Sequence, residues 1–241
     1  MSSSKEAKKS RRRSDAGSAT KKPKIEEAPF SDPKSLVTFL VGPGPDPTEF
    51  IAHKEFVCRH SKVLEAAFNS GFIEGQSQTY RLEDTSPAAF RLLMEWFYLE
   101  KLTLLQTSPG YVLDVTDMQQ EFNEDMSLAE LWVLAEKFAM PVLQNKIIDS
   151  MQQIVLIGDS IPSRTFQYIY ANTAAGSALR KYAVKTCVRY RNEGQYSENA
   201  DLHPPQMMVD IAEDYVVEFN TPEEHDEDIK PTEFHVPVGK D

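Results

Sequence analysis

The stretch that decides the fold reads FIAHKEFVCRHSKVLEAAFNSGFIEG over residues 50–75 and continues QSQTYRLEDTSPAAFRLLMEWFYLEKL over residues 76–102. Its opening residues, 50–54, predict a strand that ends in a turn. A short helix should follow, because Val63, Leu64, Ala67 and Phe68 lie on one face at helical spacing. Residues 80–82 then predict a further strand.

A second helix is predicted to open at Ser86-Pro87. Serine is a favourable N-cap, and proline suits the first helical position because its missing N–H costs nothing there. The core-facing stripe of this helix consists of Phe90, Leu93, Met94 and Phe97. Leu92 and Trp96 widen the stripe, so the helix should be buried on more than one side.

Upstream, residues 36–41 and 50–52 predict the two strands of a β-hairpin, since the first alternates in the manner of a half-buried strand. The loop between them, GPGPDP at residues 42–47, excludes regular structure. Its three prolines remove backbone N–H donors, so it is not interpreted as a phosphate-binding loop.

Downstream, residues 101–104 predict a short edge strand, and residues 105–126 predict a long exposed insertion with a further short strand at 111–113. A helix should begin at Ser127, where Ser127 and Glu130 fit a capping box. Met140-Pro141 breaks that helix, and a second one completes a helical hairpin. Two further helices are predicted at residues 164–170 and 178–190.

The two ends of the chain differ in charge. Residues 1–28 hold nine Lys and Arg against four Asp and Glu, and residues 194–241 hold two against thirteen. The first segment has almost no apolar side chains, so disorder is predicted for it. Its basic clusters resemble a bipartite nuclear localisation signal that binds an import receptor; the alternative is a solvated basic tail. The cluster residues are Lys8, Lys9, Arg11, Arg12, Arg13, Lys21, Lys22 and Lys24.

Composition excludes several classes of protein. A formal net charge of −11 disfavours direct nucleic-acid binding, because phosphate contacts supply most of that affinity. Two distant cysteines make neither a disulfide framework nor a Cys-rich zinc site. No apolar run is long enough for a membrane span, and the N-terminus does not resemble a signal peptide.

No catalytic or metal site is predicted, and no cofactor. His53 lacks a nucleophile or ligand set at suitable spacing, so a structural role is favoured. Cys58 and Cys187 are interpreted as small buried side chains. His225 lies within an acidic run, where weak cation binding is the alternative to a solvated segment. Trp96 and Trp132 fall on apolar helical faces and are predicted to be core residues.

The order of elements and six motifs together resemble a BTB/POZ domain of the stand-alone type found in filamentous fungi. The motifs are LVTFLVG at residues 36–42, FIAHK at 50–54, RHSKVL at 59–64, YRLED at 80–84, AFRLLMEWFY at 89–98 and LWVLAEKFAMPVL at 131–143. The resemblance implies an α+β fold, with a small mixed sheet flanked by a helical cluster and extra C-terminal helices.

The predicted organisation has four parts. They are a disordered basic segment at residues 1–33, a BTB/POZ domain at 34–157, a helical extension at 158–192 and an acidic disordered tail at 193–241. Dimeric relatives often carry an extra N-terminal strand and helix that is exchanged between protomers. The residues before Leu36 show no such pattern, which leaves homodimerisation open.

The resemblance implies a non-enzymatic protein–protein interaction module, acting as an adaptor or scaffold. Phe72-Ile73-Glu74 matches the family's cullin-contacting signature of a hydrophobic residue, any residue and Glu, so Phe72 and Glu74 are the candidate contact residues. One hypothesis is therefore a substrate adaptor of a cullin-RING ubiquitin ligase. The other is a dimerising nuclear co-regulator without a ligase link. Both place the protein in the nucleus, with the cytoplasm as a further location.

Overall fold

The computed structural model describes residues 31–111, 118–158, 160–190, 196, 200–220 and 228–239. Within them a small mixed β-sheet lies beside a cluster of helices, which confirms the predicted α+β class. The strands are β1 (Leu36–Val41), β2 (Thr48–His53) and β3 (Thr79–Leu82). The helices are α1 (Lys54–His60), α2 (Lys62–Phe68), α3 (Ile73–Ser77), α4 (Pro87–Leu99), α5 (Met118–Lys137), α6 (Pro141–Gly158), α7 (Phe166–Asn172), α8 (Ala178–Tyr190) and α9 (Pro205–Asn220).

Strand β1 lies at the centre of the sheet. It pairs antiparallel with β2, which confirms the predicted hairpin, and parallel with β3 on its other side. Alternation sends Val37, Phe39 and Val41 to one face, and all three are buried there. In the turn that follows, Gly42 and Gly44 have φ values of 106° and 78°, which favour glycine.

The prediction for residues 54–68 found α2 but missed α1. The two helices are separated at Ser61, whose backbone is extended. The Ser61 hydroxyl accepts a hydrogen bond from the Leu64 N–H at 3.1 Å and donates one to the Phe138 carbonyl at 2.7 Å. Ser61 therefore caps α2 and joins it to the end of α5, a contact that no local pattern reveals.

Helix α4 begins where predicted. Ser86 is its N-cap, and the Ser86 hydroxyl accepts from the Ala89 N–H at 3.2 Å. The Glu130 carboxylate of α5 accepts from the Ser86 N–H at 3.0 Å, which completes the cap across the fold. Trp96 of α4 and Trp132 of α5 are both buried, as predicted for core residues.

The capping box predicted at Ser127 is wrong, because α5 already begins at Met118. Ser127 lies inside the helix, where its hydroxyl donates to the Asn123 carbonyl at 2.6 Å. A serine can make either local bond, so its presence does not locate the helix start. The Glu130 carboxylate instead accepts a hydrogen bond from Ser86, the N-cap of α4. Because α5 begins at Met118, the predicted exposed insertion at residues 105–126 is partly helical.

The edge strand predicted at residues 101–104 does not form. The Glu95 carboxylate accepts from the Thr103 N–H at 2.9 Å, and the Glu124 carboxylate accepts from the Leu105 and Gln106 N–H groups at 2.6 and 3.0 Å. The Glu95 carboxylate thus binds a donor that the predicted strand would have used, and the Glu124 carboxylate binds two donors just beyond it. Residues 112 and 113 of the other short strand predicted here lie outside the described residues.

The helical hairpin of α5 and α6 confirms the prediction. The chain reverses at Ala139, which has a φ of 51°, and Pro141 opens α6. Helix α8 spans the predicted residues 178–190, and α7 follows a short 3-10 turn at Ser163–Thr165.

The acidic tail predicted to be disordered contains regular structure in its described part. Helix α9 packs on α8 and buries Met207 and Ile211, one turn apart. The Lys185 ammonium of α8 lies 3.4 Å from the Asp214 carboxylate of α9. A 3-10 turn at Pro231–Phe234 buries Phe234. The prediction failed because the high acidic content obscured an amphipathic spacing.

Candidate docking site

The two most exposed large apolar side chains of the described residues lie at the start of α3. Phe72 is 76 % exposed and Ile73 is 69 % exposed. Phe72 is the N-cap residue of α3, and Glu74 lies in its first turn. The fold therefore presents Phe72 and Glu74, the two predicted contact residues, on one short projection.

Hydrogen bonds to the end of α2 hold this projection in place. The Phe68 carbonyl accepts from the Lys54 ammonium and from the Gln78 side-chain amide, both at 2.9 Å. Gln78 also donates to the Gly75 carbonyl at 2.6 Å, which joins α2 to the end of α3. The Phe68 ring is buried in the core, so the projection stands on a fixed base.

Gly75 permits the tight turn that exposes Phe72. A Cβ atom at this position would lie only 1.9 Å from the Ser70 carbonyl oxygen, so any larger residue would force the backbone apart. The Ser70 hydroxyl also accepts from the Phe72 N–H at 3.2 Å. The glycine and the serine together fix the direction in which the Phe72 backbone leaves the turn.

Negative charge flanks the exposed apolar pair. Burial raises the pKa of the Tyr80 phenol, and the Glu74 and Asp84 carboxylates raise it further. Glu74 lies in the first turn of α3, and no described Lys or Arg forms an ion pair with its carboxylate. The site thus combines an exposed apolar surface with a carboxylate that is available to a partner's donor.

A second apolar surface lies on the outer face of the sheet. Leu36 and Ile51 are 46 % and 54 % exposed. In the register of β1 and β2, Leu36 is opposite His53 and Ile51 is opposite Thr38, so Leu36 and Ile51 share this face. The sequence prediction did not identify the surface, although the strand alternation contains the signal.

His53 has a structural role in which it contacts α4. Its backbone N–H donates to the Tyr98 hydroxyl at 2.9 Å, and its Nδ1 lies 2.9 Å from the same oxygen. His53 therefore ties β2 to α4. The His53 ring also meets the Phe56 ring of α1, the helix that follows, edge-on, with 6.1 Å between the centroids.

The cysteines and acidic clusters form no chemical site in the described segments. Cys187 is buried as predicted, whereas Cys58 is only half-buried, and burial raises the pKa of its thiol. Among the described residues, no group of three or more His, Cys, Asp and Glu side chains is placed to hold a metal ion. The predicted basic clusters and His225 lie outside those residues.

The fold and the exposed surfaces define the class as a protein–protein interaction module. Residues 35–154 match the family model of the BTB/POZ domain, and the chain belongs to the BTB/POZ family. A comparison with curated proteins found no match. None of the described helices has both the length and the apolar character that crossing a bilayer requires.

Proposed function

We propose that this protein is an adaptor that uses Phe72 and Glu74 to bind a cullin-RING ubiquitin ligase. The observation that carries the proposal is the 76 % exposure of Phe72 on a turn braced by Gly75. Phe72 and Ile73 are adjacent and both exposed, and an exposed apolar patch marks an interaction site more often than a single side chain does. Here the ring coincides with the family's cullin-contacting signature.

The geometry suits a small interface hot spot. An aromatic ring that enters a partner pocket contributes most of its energy through burial, and a neighbouring carboxylate adds orientation. The hydrogen bonds from Lys54 and Gln78 hold the turn before binding occurs. Little conformational entropy is then lost on association, which favours affinity.

The test is capture of this protein by an immobilised cullin. We expect the double substitution Phe72→Ala with Glu74→Ala to abolish capture, while the free energy of unfolding changes by only about 0.5 kcal/mol, as for exposed positions. The matched control is Val142→Ala with Glu136→Ala, two exposed positions on the α5–α6 hairpin. Retained capture by the first variant would exclude this contact.

The second candidate function is a dimerising nuclear co-regulator without a ligase link. The exposed Leu36 and Ile51 on the outer sheet face favour it, as does the outer edge of β2, which has no neighbouring strand among the described residues. It predicts sedimentation as a dimer at tens of micromolar, roughly the range of weak association. Ile51→Glu should dissociate the dimer, and Val142→Glu, at matched exposure, should not. A monomer under these conditions counts against the candidate.

Both candidates include nuclear import through the basic clusters of the N-terminal segment. Replacement of their lysines and arginines by alanine should remove binding to an import receptor and shift a fluorescently tagged chain to the cytoplasm. Unchanged nuclear accumulation would show that another signal directs import. The positions to replace are Lys8, Lys9, Arg11, Arg12, Arg13, Lys21, Lys22 and Lys24.

A further inference from the structure

The last described segment of the chain, residues 228–239, lies across α6 and α8; we call it the C-terminal strap. Of its twelve residues only Ile229 and Phe234 are buried. The Phe234 ring meets the Tyr182 ring of α8 edge-on, with 5.7 Å between the centroids. These two side chains are the buried anchors of the strap, and the partly buried Val236 also packs against the core.

Helix α6 binds the backbone of the strap through an asparagine. The Asn145 side-chain oxygen accepts from the Val236 N–H at 2.7 Å, and its side-chain nitrogen donates to the Val236 carbonyl at 3.0 Å. One turn further along α6, the Asp149 carboxylate lies 2.8 Å from His235 Nε2. An amide that pairs with both backbone groups of one residue binds an extended peptide in the way that a neighbouring strand does.

Helix α8 binds the beginning of the strap in a similar way. The Tyr190 hydroxyl accepts from the Ile229 N–H at 3.2 Å and from the Gln152 side chain at 3.0 Å. The bond from the Ile229 N–H and the two bonds of Asn145 use backbone groups of the strap, which most peptides carry. Selectivity must then come from the pocket that holds the aromatic ring and from Asp149.

The strap leaves open space on the α9 side of α8. A cavity of about 600 Å³ lies between α8, α9 and the strap, and Phe234 forms part of its wall. The free energy gained by burying two side chains must offset the conformational entropy that is lost when twelve residues become ordered. The strap is therefore docked weakly compared with a core element. The groove can therefore exchange the strap for another peptide.

We propose that the groove between α6 and α8 is a peptide-recognition site and that the C-terminal strap is its tethered ligand. The partner is an extended segment with an aromatic anchor, followed by a donor for Asp149 and then by a residue whose backbone pairs with Asn145. Seven residues of sequence separate Asn220 from Asp228. A tether this short keeps the strap at an effective concentration in about the millimolar range, so a partner must compete with it. The site is independent of the Phe72 projection and of either candidate function.

A labelled synthetic peptide with the sequence of residues 228–239 tests the proposal by fluorescence anisotropy on the full chain. Phe234→Ala weakens the chain's own strap, and we expect it to bind the peptide at least about tenfold more tightly than the unaltered chain does. Adding Asn145→Ala should remove that binding, as should a peptide with alanine in place of its phenylalanine. Absent binding to a folded Phe234→Ala chain would overturn the proposal.

Hydrogen exchange on the unaltered chain gives a second measurement that needs no variant. The Val236 amide should exchange through local release of the strap, while the amides of α8 stay protected. The two sets should then differ in protection by at least about tenfold. If the Val236 amide exchanges only together with the α8 amides, the strap is a part of the core and the proposal fails.

Discussion

Residues 35–154 and the described segments that follow α8 are held together in different ways. In the first region, long apolar side chains such as Phe39, Phe90 and Trp132 are almost completely buried against one another. In the second, α9 and the strap are attached through a few apolar anchors, ion pairs such as Lys185–Asp214 and side-chain bonds to the backbone. Stability should therefore be concentrated in the BTB/POZ domain, and the elements that follow α8 should open first.

The largest expected effect is that of Phe90→Ala. The Phe90 ring is fully buried, with centroids 4.9 Å from both Phe39 and Phe50. Removing it leaves a cavity between the sheet and α4, so the free energy of unfolding should fall by about 3–5 kcal/mol. Denaturant unfolding measures this loss.

The control for this substitution is Phe72→Ala, which removes the same ring from an exposed position and should cost about 0.5 kcal/mol or less. A loss below about 1 kcal/mol for Phe90→Ala would contradict the assignment of Phe90 to a rigid core.

A smaller effect is expected for Phe234→Ala in the strap. Phe234 is 9 % exposed and belongs to a segment with one other buried side chain, Ile229. The loss cannot exceed the free energy with which the strap docks, so we expect about 1.5 kcal/mol in the same denaturant experiment, which corresponds to a roughly tenfold weaker docking of the strap. A loss equal to that of Phe90→Ala would remove the distinction between the two regions.

The smallest expected effect is a pH dependence that comes from His60 in the domain core. Burial lowers the pKa of His60 below its ordinary value of 6.5, and Glu100, at 3.9 Å, opposes the shift. Below that ordinary value the unfolded chain takes up a proton that the native protein resists. Stability should therefore fall as the pH drops from the unfolded pKa to the native one, and level off below it.

Unfolding free energies measured across this pH range test the expectation. His60→Gln should reduce the slope of the unfolding free energy against pH in this window, because the glutamine amide does not titrate. An unchanged slope in the His60→Gln protein would show that other groups govern the pH dependence.

Local patterns were enough to predict much of the domain. The β-hairpin follows from alternation beside a Gly-Pro loop, and α4 begins at Ser86 because a serine N-cap and a proline act within one turn. The helical hairpin of α5 and α6 follows from Pro141 in the same way. The candidate residues Phe72 and Glu74 follow from a family signature, whereas the exposure of Phe72 and the need for glycine at position 75 depend on the tertiary structure.

By itself, then, the sequence determined the α+β class, the hairpin and the main helices of the domain, since these depend on residues a few positions apart. Only the tertiary structure decided that Glu130 caps α4, that Ser61 joins α2 to Phe138 and that Asn145 binds the backbone of Val236. Each of these bonds joins residues more than forty positions apart. A polar side chain has several possible partners, and the packing of the whole chain selects one.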